Sequence, residues 1–177
     1  IPTIAHFHIA DEIAKRPEIN KVEVIIGHKE RDEINKEQSL AIWDIYKKYL
    51  NNNVEVRISN DISPIKEVLD IVKNNPNNYY ILVFGRDEDS QRFKSALKYP
   101  NIKIVNIPDV GDGVSGTKAR QEILNGSYEG LQRYLPSELN NDERKKIWSI
   151  VSKEPISETI LNEYHNQKEL NPNIWSN

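Results

Sequence analysis

The chain contains no cysteine, which excludes disulfide scaffolds, thiolate metal sites and cysteine nucleophiles. No run approaches the ~20 apolar residues that a membrane-spanning helix requires. The opening residues, Ile1-Pro2-Thr3-Ile4-Ala5-His6, lack the charged start and long apolar stretch of a signal peptide, so a cytoplasmic setting is the default expectation. An excess of one charge is also missing. The 24 Lys and Arg are set against 27 Asp and Glu, for a net charge of −3. No basic field advertises nucleic acid or an anionic membrane as a partner. Neither an HxxxH spacing nor a carboxylate cluster offers a dedicated metal site, so any metal is expected to arrive with a ligand.

What is present suits one compact domain with a helical appendage. The 177 residues are 37% apolar and 29% charged, polar for a globular chain but enough to bury a core at this length. Helical and strand patterns alternate along it. Residues from Ile4 to about Arg16 read as a helix, with Ile4, Phe7, Ala10 and Ala14 on one stripe and Thr3 as N-cap. Val22 to Ile26 reads as a strand closed by Gly27. Asn35 to Leu50 is a second helix turning Leu40, Ile42, Trp43, Tyr46 and Leu50 toward a core. Val54 to Ile58 is a second strand. Ser63-Pro64 opens a third helix, with proline in the first turn where a missing N–H does no harm.

Tyr79 to Phe84 is an almost unbroken apolar run, as expected of a strand covered on both faces. A helix from about Asp89 to Lys98 and a strand from Ile102 to Ile107 follow. A loop rich in Gly and Asp, Asp109 to Gly113, leads to Ser115-Gly116-Thr117 at the head of another helix, and the pattern from Tyr128 onward is helical. Such alternation predicts an α/β fold with a Rossmann-like parallel sheet and helices on both faces. The boundaries are an α/β domain over residues 1–127 and a helical appendage over residues 128–177. A fold of this kind opens on a strand. This chain opens on a helix, at Ile1 and without Met, so the first strand is expected upstream.

Two segments sit where open α/β sheets bind ligands, at carboxyl ends of strands and N-termini of helices. One is Pro2-Thr3-Ile4-Ala5-His6. The other is Val114-Ser115-Gly116-Thr117-Lys118-Ala119-Arg120. A triphosphate needs its charge stabilised without covalent help, and helix-end N–H groups, the Ser115 and Thr117 hydroxyls and a cation one turn in provide that. Arg120 lies three residues after Thr117, on the same side of the turn, and Gly116 permits close backbone approach to an anion. The same residues also read as an ordinary N-cap and a surface cation. His6, one turn into the first helix, reads as a donor to a phosphate oxygen or as a structural histidine. His8 points elsewhere, and His28 and His165 have no recognisable partners in the sequence.

Taken together, the two segments resemble the paired signatures of the nucleotidyltransferase superfamily, usually written HxGH and ISSTxxR. The first stands here as Thr3-Ile4-Ala5-His6 and the second as Val114 to Arg120. More narrowly, the chain is similar to phage-encoded cytidylyltransferase-like proteins. Shared with them are the stretch from Lys29 to Asp32, the run from Asp112 to Gly116 and the segment from Leu135 to Ser137. The resemblance spans about residues 1–151. It implies that Thr3 and His6 contact a nucleoside triphosphate, with Ala5 beside the nucleotide. Ser115, Gly116, Thr117 and Arg120 would bind its β and γ phosphates, assisted by Lys118. Gly85, Arg86 and Asp87 would lie near the nucleoside; the alternative is a strand-ending turn with a surface pair. Lys29 and Arg31 would meet the acceptor's phosphate, or form a solvated charge run.

The reaction implied is transfer of a nucleotidyl group from ATP or CTP, with Mg²⁺ carried in by the triphosphate, to a phosphate-bearing small molecule. The Ser-Gly-Thr form of the second signature also resembles adenylyltransferases acting on nicotinamide mononucleotide, which favours ATP. Ala5 stands where the family has glycine, and of the family's Gly-x-Phe-x-Pro turn only Pro2 is present. Two rivals remain. One is a catalytically silent domain of this fold with a structural or interaction role, such as in a phage particle. The other is a fragment of a class I aminoacyl-tRNA synthetase, which the net negative charge disfavours. Homo-oligomerisation is left open, and for a phage-encoded chain the compartment would be the host cytoplasm.

Overall fold

A computed structural model describes residues 1–30, 34–84, 87–106 and 116–152. Helix α1 spans Ile4–Ala14 behind the extended N-cap residue Thr3. It buries Ala5, Phe7, Ala10, Ile13 and Ala14, while Ile4 stays half-buried. The inward stripe is thus centred one residue round from the expected one. Pro17 limits further helix. The carbonyl of Ala14 accepts from Nδ2 of Asn51 at 3.3 Å and of Asn53 at 3.1 Å, which satisfies an end that the helix itself leaves open.

Strand β1, Val22–Ile26, lies parallel to β2, Val54–Ile58, in a register that runs from Val22 opposite Val54 to Ile26 opposite Ile58. Between them runs α2, Lys36–Tyr46, extended by a 3₁₀ turn at Lys47–Tyr49. Its start is a reciprocal capping box. The Gln38 N–H donates to Asn35 Oδ1 at 2.8 Å, and the Asn35 N–H donates to Gln38 Oε1 at 2.8 Å, so two helix-end donors are satisfied at once. Helix α3, Pro64–Asn74, begins behind Ser63, whose hydroxyl accepts from the Lys66 N–H at 3.2 Å.

Strand β3, Tyr80–Phe84, lies parallel to β4, Ile102–Asn106. A 3₁₀ segment at Asp87–Lys98 connects them. Helices α4 (Gly116–Leu124), α5 (Tyr128–Gln132) and α6 (Asn141–Val151) follow. The architecture is mixed α/β, and every strand pairing is parallel. The single sheet expected from the alternation is not formed among the described residues: hydrogen bonds join β1 to β2 and β3 to β4, as two separate pairs. Ile81, Leu82 and Val83 are half-buried, so β3 also lacks the two-sided cover that its apolar run predicts. Each pair has an edge with no described strand hydrogen-bonded to it, which is why its apolar residues are less covered.

The densest packing is therefore helical. Phe7 and Ala10 of α1 meet Ile42, Trp43, Ile45 and Tyr46 of α2, and the same cluster takes in Ala119, Leu131, Ile147 and Trp148 from α4, α5 and α6. Val24, Ile26 and Val56 of the first strand pair pack against it. Edge-to-face ring pairs tie the cluster together: Phe7 with Tyr46 at 5.9 Å, Trp43 with Tyr46 at 5.6 Å, and Tyr128 with Trp148 at 5.7 Å. Such pairs add specificity to the area they bury.

One buried cation organises the turn between α5 and α6. Arg144 is 3% exposed. Its guanidinium donates to the carbonyls of Pro136 at 2.9 Å and Leu139 at 3.2 Å, and to Gln132 Oε1 at 3.2 Å. Replacing Arg144 with alanine strands these acceptors and is expected to cost about 3 kcal/mol of stability. Urea denaturation measures it, and a loss below about 1 kcal/mol would show that other donors serve this turn.

Candidate functional site

The helix starts gather at the carboxyl ends of the strands. The end of α1 is bound by Asn51 and Asn53, just before β2 begins, so its start lies toward the opposite edge. Helices α2 and α3 follow the ends of β1 and β2 directly. Gly27, after β1, is so close to the head of α3 that a Cβ there would sit 3.3 Å from Pro64 Cγ. This edge collects partial positive charge from helix N-termini.

The start of α1 is pinned from two sides. The Tyr46 hydroxyl donates to the Pro2 carbonyl at 2.8 Å, and the Ile4 N–H donates to the Tyr134 carbonyl at 2.8 Å. Burial holds the Tyr46 hydroxyl well above the usual phenol range, so it remains a donor. Thr3, 1% exposed, donates its backbone N–H to His6 Nδ1 at 3.0 Å, and its hydroxyl lies 3.1 Å from the same nitrogen. A nitrogen that accepts an N–H carries no proton. Neutral His6 therefore has its hydrogen on Nε2, on a ring that is exposed. Ala5 is buried, so a ligand at this helix start would meet its backbone rather than its methyl.

The start of α4 meets this segment. A Cβ at Gly116 would lie 3.0 Å from Arg120 Nη1 and 4.0 Å from the Ile1 carbonyl oxygen. Arg120 folds back over the first turn of its own helix and donates from Nη2 to Thr117 Oγ1 at 3.1 Å. Thr117 and Lys118 are exposed, whereas Ala119 is buried in the core and anchors the helix. Five of the expected site residues thus fall into one neighbourhood: Thr3, His6, Gly116, Thr117 and Arg120. Asp87 opens the 3₁₀ segment Asp87–Lys98, and Lys29 is exposed just beyond β1. Arg31, Gly85, Arg86 and Ser115 lie outside the described residues.

Sequence reasoning left His28 without a partner, and the structure supplies two. Its Nε2 donates to the Ser59 carbonyl at 2.6 Å, and Nδ1 accepts from the Lys36 ammonium at 3.0 Å. The only local hints were the position of His28 just past a strand-ending glycine and that of Lys36 just past a helix cap. The neighbouring loop after β2 is shaped by Glu67. Its carboxylate accepts from the Ser59 hydroxyl at 2.5 Å, from Arg57 Nη1 at 2.6 Å and from the Asn60 N–H at 3.0 Å. The Ser59 bond foremost, then Arg57 and the Asn60 amide, hold this carboxyl below the ordinary carboxylate range against the cost of desolvation. Among the described residues, no three His, Asp or Glu side chains gather closely enough to hold a metal ion. No described helix is long and apolar enough to cross a membrane. No protein-family model, curated protein or solved structure matches the chain.

Two tests follow from this geometry. Long-range ¹⁵N–¹H correlation spectra above the imidazole titration range are expected to show His6 as the Nε2–H tautomer; the Nδ1–H form contradicts the Thr3 contact. Glu67 contributes stability that is complete above its ordinary value of 4.5 and is lost as pH falls through the depressed folded value. Glu67→Gln is therefore expected to lower Tm at neutral pH and to flatten the decline of Tm below about pH 4.5. An unchanged acid profile would mean that Glu67 titrates alike in the folded and unfolded chain.

Proposed function

We propose that the protein is a nucleotidyltransferase, moving a nucleotidyl group from ATP or CTP to a phosphate-bearing small molecule. The observation that carries the reading is the approach of the Gly116–Arg120 turn to the Ile1–His6 segment. Two pieces far apart in sequence, each suited to an anion, share one corner of the molecule. In this reading the two parallel strand pairs belong to one Rossmann-like arrangement, with the corner at its carboxyl edge.

The chemistry asks little of the protein beyond positioning and charge. An oxygen of the acceptor's phosphate attacks the α-phosphorus in line. The bond from that phosphorus to the bridging oxygen breaks, and pyrophosphate leaves with the electron pair. The substrate is the magnesium complex of the triphosphate, whose ion offsets much of the phosphate charge. Arg120, steadied by Thr117, would face the β and γ phosphates. The Nε2–H of His6 would donate to a phosphate oxygen as negative charge moves toward the leaving group. Lys118 and the first-turn amides of α4 would add attraction at the same end. Because the ring and the guanidinium are held beforehand, their alignment costs little when the substrate arrives.

His6→Ala and Arg120→Ala are each expected to lower kcat for pyrophosphate release by about 10²–10³ with an unchanged circular dichroism spectrum. MgATP or MgCTP at about 100 times its Kd is expected to stabilise the native chain by about 2.7 kcal/mol. A response to one nucleotide identifies the donor. The half-buried apolar residues of β3 favour one other reading, a silent domain of the same fold that docks on a partner. Absence of a shift with either nucleotide, together with normal behaviour of both variants, selects that reading.

A further inference from the structure

We propose that His28 and Lys36, together with Lys29, form a second anion subsite that takes a phosphomonoester. If the chain is a nucleotidyltransferase, this is the phosphate of the acceptor; that assignment rests on the reading above, whereas the anion binding does not.

The inference starts from how the charges pair. Of the carboxylates near the ends of β1 and β2, Glu67 is committed to Arg57 at 2.6 Å and Asp61 to Lys66 at 3.0 Å. Lys36 has no comparable mate. Its contacts among the described residues are the uncharged His28 Nδ1 at 3.0 Å and Glu37 Oε1 at 3.9 Å, the latter beyond hydrogen-bond reach. An ammonium has three donors, and only one is used. A lysine is not ordinarily held by an imidazole when solvent or a carboxylate would serve its charge better, so the contact fixes a cation without neutralising it.

Preorganisation makes the pair a site rather than a stray surface charge. The His28 ring is clamped by the Ser59 carbonyl at 2.6 Å, and that carbonyl belongs to the loop fastened by Glu67. With Nε2 committed as donor, Nδ1 must be the acceptor, and Lys36 is drawn to it. Lys36 is also the first residue of an 11-residue helix whose dipole favours an anion at this end. Its side chain keeps a third of its surface open, at 33%. Lys29, exposed, follows His28 directly. Two ammonium groups and a helix start at one strand end suit a compact dianion. A single carboxylate would use only part of them, and the net charge of −3 gives no wider field for a nucleic acid.

The probes are inorganic phosphate and ethyl phosphate, titrated into the whole chain by calorimetry, with chloride at equal ionic strength as the control. Both phosphates are expected to bind the native chain. Lys36→Met is expected to raise both Kd values about tenfold or more, the loss of at least one charge-assisted bond, while leaving the MgATP thermal shift in place. Lys36→Gln is the substitute if the Met variant does not fold. In the native chain the imidazole nitrogens of His28 are expected to move on phosphate titration, a readout independent of any variant. No binding to the native chain, equal binding to the Lys36 variant, or unmoved His28 resonances each overturns the subsite. Phosphate binding that depends on Lys36 without any MgATP or MgCTP shift keeps the subsite and refutes the nucleotidyltransferase reading. A nucleotide shift with no phosphate binding does the reverse.

Discussion

The first few residues of the chain hang on one hydrogen bond, from the Tyr46 hydroxyl to the Pro2 carbonyl. Tyr46 is wholly buried and touches the rings of Phe7 and Trp43, so its position is set by the core and its hydroxyl has a narrow choice of partners. A buried phenol with no acceptor would cost about 1–3 kcal/mol, and the Pro2 carbonyl meets that need. The consequence reaches the surface. With Pro2 fixed, Thr3 is fixed, and the Thr3 N–H then sets the ring of His6. Core packing and the orientation of an exposed imidazole are thus one continuous arrangement.

A second line of support arrives from the far end of the described chain. Arg144 gathers the carbonyls of Pro136 and Leu139 and the side chain of Gln132. That defines the turn in which Tyr134 lies, and the Tyr134 carbonyl receives the first N–H of α1. Burying an unpaired guanidinium is costly. Here the cost is met by oriented carbonyl dipoles instead of a carboxylate, so no opposite charge is placed beneath the helix start. An aspartate in that role would oppose the positive potential that an anion-binding edge requires.

Much of this was legible in the residues. Thr3, Asn35 and Ser63 announce the helices that they cap, because the side-chain chemistry of an N-cap is local. The spacing of Thr117 and Arg120 likewise foretells their contact, which lies within one turn. Long-range pairing was not legible in the same way. Alternation of elements implies parallel strands, and each pair is parallel, but nothing in the apolar runs says that β1 and β3 remain unjoined. His28 illustrates the same limit. Its two partners lie 8 and 31 residues away, one across a strand pair, and no spacing rule connects them. The apolar stripe of α1 was misplaced because Ile4 is an apolar residue at the helix start, where its backbone is engaged by Tyr134 while its side chain is only half covered. The expectations for Arg31, Gly85, Arg86 and Ser115 fall outside the described residues.

The two basic neighbourhoods differ in how their charge is restrained, and the difference bears on what each can do. Arg120 is steadied by a hydroxyl on its own helix, so its direction depends on little beyond the first turn of α4, and Gly116 supplies the room it occupies. A side chain at that position would meet the guanidinium at 3.0 Å and push it off the turn. Lys36 is instead steadied by His28, whose own orientation depends on the loop after β2 and therefore on Glu67 and Arg57. Disturbing that carboxylate would loosen the loop, free the imidazole and release the ammonium, although none of these groups is adjacent in sequence. Arg120 is thus a locally built cation, tolerant of change elsewhere. Lys36 is a cation built by tertiary structure and is sensitive to it.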